Sequence, residues 1–267
     1  MLKLFLFTVI STFSLAWDYK NGGSDWTDTC LYGTSQSPID LKAQSTTAIN
    51  ITSSSISQLK LVYKSHPESG TFKDQTYTID GNFLNLTEIL ESVTIFMRSQ
   101  SFSFHAPSEH TLNGYQFDLE LQILSTNTPG YIYNQQTAVF FRLGEDDNSF
   151  IDKVIRAYGK TTEIDLSDLF GGRSSLNHFY SYKGSVTSPP CTEDVTWYIW
   201  AEIQEISLSQ LSFFTDQWAG NQNFAGGRGN NRKIQNLNKR TITLYEGADD
   251  SGKNLFYFSV LFFALLY

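Results

Sequence analysis

Basic residues are scarce in this chain: 19 lysines and arginines stand against 27 aspartates and glutamates, for a formal net charge of −8. No basic stripe runs through it, and phosphate contacts need clustered Lys and Arg, so nucleic acid is excluded as a partner. Cysteine is scarcer still, with Cys30 and Cys191 alone. An even pair in a secreted chain points to one disulfide, here closing a long loop. Histidine occurs only four times, as His66, His105, His110 and His178, which leaves little from which to build a site of several imidazoles. Long apolar runs are missing as well. The C-terminal run Leu255 to Tyr267, at 13 residues, falls short of the roughly 20 that a spanning helix needs.

Both ends carry processing patterns. Lys3 and the apolar run Leu4 to Ile10 lead to Ser14-Leu15-Ala16, so residues 1–16 read as a secretory signal peptide rather than a buried first helix. Residues 247–267 combine small residues, a short polar spacer and an apolar tail, the pattern of a GPI-attachment signal, with Gly247 or Ser251 as the attachment residue. The competing reading is a last strand packed on the body. The expectation is an extracellular protein held on the outer face of the plasma membrane by a lipid anchor. Sequons at Asn50-Ile51-Thr52 and Asn85-Leu86-Thr87 agree with that route and make Asn50 and Asn85 glycosylation candidates.

Between the ends, residues 17–246 show no repeat and no dividing linker, which predicts one domain. Aromatics are abundant, with 21 Phe, 14 Tyr and 5 Trp. Tyr115 to Ile123 alternates, placing Phe117, Leu119, Leu121 and Ile123 on one face and Asp118, Glu120 and Gln122 on the other. Ser101 to His105 alternates likewise. Val93 to Met97, Thr137 to Leu143, Val195 to Ala201 and Thr241 to Tyr245 are further strand candidates. Helical spacing is confined to Phe150 to Tyr158 and to a serine-capped segment from Ser207 to Phe214, while Ala219 to Asn230 reads as a loop. The fold class is mainly β (α+β).

Three blocks carry a family resemblance. They are Ser35-Gln36-Ser37-Pro38-Ile39-Asp40-Leu41, then Phe102 to Gly114 with the strand that follows it, and then Tyr182 to Glu193 with Val195-Thr196-Trp197. In order and approximate spacing they resemble the signature blocks of the alpha-carbonic anhydrases, and Asn231-Arg232 with Leu237 to Arg240 resembles that family's closing segment. The resemblance implies a large twisted, mostly antiparallel sheet with a few short surface helices. It also implies a cleft in which three histidines hold zinc, whose bound water falls to a pKa of about 7, carbonic anhydrase being the standard instance of that shift. The hydroxide so formed attacks CO2.

On that resemblance the ligand positions fall on Ser103, His105 and Gln122, so one imidazole of three survives. A serine hydroxyl does not deprotonate near neutral pH, and a glutamine amide is a poor zinc ligand. Ser101 stands where the family commonly has an orienting glutamine, and Gly81-Asn82 where a proton-shuttling histidine is usual. Glu120 is the retained orienting carboxylate, Thr187 and Glu109 match the pair that aligns the hydroxide, and His110 matches a buried structural histidine. The polar run Asn134-Gln135-Gln136-Thr137 falls on the strand that lines the family's apolar CO2 pocket.

The expectation is therefore a catalytically inactive domain that binds no zinc, with Thr187 and Glu109 vestigial. Ser103, His105, Glu120, Gln122, Thr187 and Ser188 line a remaining cleft. Its partner is an unknown protein or a small polar ligand at the cell surface. Two alternatives stand beside it: an active zinc lyase with an atypical or rescued metal site, and a serine hydrolase built on Ser108-Glu109-His110. Adjacent residues cannot form the nucleophile–base–orienter geometry, which disfavours the second alternative.

Overall fold

The computed structural model describes residues 17–51, 57–73, 75–90, 93–127, 134–222 and 225–247. The leader at 1–16 and the tail beyond Gly247 lie outside these residues, as does the Asn50 side chain.

Among the described residues, thirteen strands join one twisted sheet. Its centre is the run Leu84–Leu90, Val93–His105, Leu119–Asn127, Asn134–Leu143, Glu193–Trp200 and His178–Ser185, in that spatial order. Most pairings are antiparallel. Asn134–Leu143 runs parallel to Glu193–Trp200 and to Gln204–Ile206, and Ile242–Gly247 runs parallel to Thr46–Ile51.

Alternation sorts the side chains into two cores. Leu119, Leu121 and Ile123 join Phe102, Phe104, Val139 and Phe141 in the larger cluster, against which Phe150, Ile151 and Val154 of the Ser149–Arg156 helix pack. A smaller cluster on the other face holds Ile39, Phe117, Ala138, Phe140, Trp197 and Ile199. The Cys30–Cys191 disulfide joins the N-terminal segment to the third sequence block across 161 residues.

Several elements differ from the sequence expectation. Val93 to Met97 and Ser101 to His105 belong to one strand, Val93–His105, whose pairing shifts register opposite Leu124 and Ser125. The expected Tyr115 to Ile123 strand is two pieces, Tyr115–Gln116 and Leu119–Asn127. Phe117 N donates to the Ser108 hydroxyl, and the Asp118 carboxylate accepts from Leu143 N. These two anchors turn the chain, so Phe117 enters the smaller core rather than sharing a face with Leu119. Both expected helices form, as Ser149–Arg156 and Leu208–Thr215.

Candidate functional site

The site sits where Val93–His105 pairs with Leu119–Asn127. Glu120 is registered opposite His105, and Gln122 opposite Ser103. Period-two alternation therefore brings these four side chains to one face. Glu109 and Thr187 arrive from the segments that follow the Val93–His105 and His178–Ser185 strands.

Gln122 is the centre of the arrangement. Its amide nitrogen donates to Glu109 Oε2 and to Glu120 Oε1, both at 2.9 Å. Both carboxylates are buried. Two acceptors on one side fix which end of the amide is nitrogen. The amide oxygen points the other way and accepts from Thr187 Oγ1 at a long 3.4 Å. The expected Thr187–Glu109 hydrogen bond is thus replaced: Glu109 accepts from Gln122 and from Arg232 N, the latter at 2.8 Å.

Glu120 is saturated. Its Oε2 accepts from the backbone N–H groups of Glu109 and His110, while His110 Nδ1 meets Oε1 at 2.8 Å. Burial alone would raise its pKa, but attraction and hydrogen bonds from His110, with His105 further off, bring it below the ordinary carboxylate value. His110 Nε2 continues to the Tyr182 hydroxyl and from there to Ser37 Oγ, each link 2.7 Å. This confirms His110 as part of a buried structural chain.

His105 is held from the opposite side. Its Nδ1 lies 2.7 Å from the Asn230 carbonyl oxygen and 3.6 Å from Glu109 Oε1. The shorter contact places a proton on Nδ1, because a carbonyl can only accept. Asn230 also clamps the strand end, bonding Ala106 N and the Phe104 carbonyl through its side chain. Gly229, at φ +150°, lets that loop approach, since a Cβ there would stand 2.7 Å from the Ala106 carbonyl oxygen. Buried Arg232 donates to Gln36 Oε1, the Ser37 carbonyl and the Cys30 carbonyl. Its cation balances part of the carboxylate charge.

The donor set does not fit a three-imidazole zinc site. One imidazole is present, Ser103 is half-buried with a neutral hydroxyl, and both hydrogens of the Gln122 amide are engaged by carboxylates. Among the described residues, no three His, Cys, Asp or Glu side chains cluster as a metal-holding group. Ser101 and Ser188 are half-buried. On the next strand, Gln136 of the polar run and the following Ala138 are registered with Leu124 and Gln122 and share the site's face, while Gln135 and Thr137 alternate to the other. Asn85 lies half-buried in Leu84–Leu90. Sequence reasoning missed Asn230 and the Ser37–Tyr182 link; Asn230 carried no signal beyond its place in a Gly- and Asn-rich loop.

Residues 21–246 match the family model described as eukaryotic-type carbonic anhydrase. Alpha carbonic anhydrase 3 of Arabidopsis thaliana is 30% identical over 230 residues, covering 83% of this chain and 78% of that protein. Dioscorin DB3L of Dioscorea polystachya is 30% identical over 241 residues, with 84% and 83% covered. Among solved structures, the Thermovibrio ammonificans alpha-carbonic anhydrase with sulfanilamide superposes with a TM-score of 0.68 at 26% identity, covering 85% of this chain and 98% of that one.

Proposed function

This chain belongs to the eukaryotic-type carbonic anhydrase family, and we propose that it is a non-catalytic member, used for binding or assembly at the cell surface. The observation that carries the reading is Gln122. At a position where the family resemblance places a zinc-binding imidazole, its amide ties two buried carboxylates together and so fills the coordination space with a protein hydrogen-bond network. Breaking it would leave buried charges short of donors, a cost that opposes metal entry.

What remains can bind but has no nucleophile to deliver. His105 Nε2 offers a lone pair, and Ser103 and Thr187 offer hydroxyls, which suits a small polar molecule that donates a hydrogen bond to the imidazole. The cell-surface placement rests on the leader and tail patterns and on the Cys30–Cys191 disulfide, which suits an oxidising compartment.

The test is CO2 hydration by stopped flow on purified protein with added zinc, alongside an authentic carbonic anhydrase. The expected rate is that of the buffer. Sulfonamide-sensitive hydration above buffer would instead establish the zinc lyase with an atypical site.

A further inference from the structure

On the face of the sheet away from the cleft, four buried side chains carry polar atoms that make no well-formed protein hydrogen bond. Ser125 is registered opposite Gln135, and Thr137 beside Tyr198 on the next strand. Alternation puts them on the face of Ile123, Val139 and Trp200, in the larger core. They are 0%, 1%, 0% and 3% exposed, in the order Ser125, Gln135, Thr137, Tyr198. Ser125 Oγ, both amide atoms of Gln135, Thr137 Oγ1 and the Tyr198 hydroxyl have no protein partner. Burial and then the nearby Glu88 carboxylate push the Tyr198 hydroxyl well above its ordinary pKa, so Glu88 is the charged group beside this set.

Scattered orphans are ordinary; a contiguous set on three adjacent strands is not. Each dry orphan costs as much as a lost hydrogen bond, and together they would consume much of a domain's net stability. The same strands satisfy their polar side chains on the other face, where Gln122 uses both ends of its amide. The chemistry here is uniform. Hydroxyls and an amide both donate and accept, none is charged, and Glu88 alongside disfavours anions.

We propose that Ser125, Gln135, Thr137 and Tyr198 form an internal binding pocket for small neutral hydroxylic guests, either ordered water or a small polyol. A buried water makes about three hydrogen bonds, so two would satisfy most of these atoms.

Thermal unfolding of Thr137→Val decides by sign. The change is nearly isosteric and removes one hydroxyl. With a guest present it deletes a made bond, and Tm falls by about 2–4 °C. A rise in Tm would mean that the hydroxyl is dry, and would overturn the proposal. A high-resolution crystal structure of the unsubstituted protein is the second measurement, independent of how the variant folds. Electron density within hydrogen-bond distance of at least two of the four side chains supports it; a dry set, or side chains paired with one another, overturns it. Erythritol separates the two guests. A saturable Tm gain that T137V lacks identifies a polyol, whereas an equal gain in both proteins is general exclusion from the surface and leaves water as the guest.

Discussion

Gln122 and a zinc-bound histidine ask for different surroundings. An imidazole at this position would give one N–H to Glu120 and turn its other nitrogen to a metal, whereas the amide gives two N–H bonds to two carboxylates. The double substitution Ser103→His with Gln122→His should therefore restore stoichiometric zinc in a folded protein, read by metal analysis after dialysis. A folded variant that stays metal-free would show that the cleft no longer has zinc geometry. The same cluster sets an acid limb. Glu120 has a folded pKa below its unfolded value of about 4.3, so its contribution is complete above that value and is lost as pH falls through the lower folded one. Urea unfolding at pH 7 and pH 3.5 should show a large loss in the unsubstituted protein and a smaller one in Glu120→Gln; equal losses would refute the assignment. The placement of Ser103, His105 and Gln122 on one face was legible because the surrounding blocks fix their register. The bond from Thr187 to Gln122 was not, since no sequence pattern says that an amide will take over a carboxylate's partner.

Elements were legible where one periodicity ran undisturbed. Leu119–Asn127 shows it: Leu119, Leu121 and Ile123 go to the core and Glu120 and Gln122 to the site, as alternation requires. The run failed two residues earlier, at Phe117 and Asp118, because tertiary anchors on Ser108 and Leu143 overrode the local pattern. Hydrophobic alternation alone cannot register such anchors. The Leu208–Thr215 helix was readable from its start, since Ser207 and Gln210 form a capping box. Ser207→Ala should lower stability by about 1 kcal/mol in urea unfolding, the usual effect of losing such a cap. No change would place the helix's stability entirely in its packing, through Phe214 and its neighbours.

At the scale of the whole molecule, the fold that the chain shares with the family is, on the proposed reading, separable from the zinc site that the resemblance places in it. Within the fold, the Glu120–His110–Tyr182 chain gives each of its buried polar groups a protein partner, and the disulfide ties the N-terminal segment to the third sequence block. The fold class followed from composition, alternation and the three blocks. The internal polar set behind the sheet did not, because its residues become neighbours only through strand pairing. Changes to the groups around a bound metal commonly lower affinity about 10–100-fold, and replacing two imidazole ligands removes far more. The direct measurement is therefore zinc affinity, by titrating metal-free protein against a chromogenic chelator at neutral pH. The account predicts that the chelator keeps the zinc and that the protein emerges from dialysis without it. One zinc per chain, held against the chelator and retained through dialysis, would contradict the account.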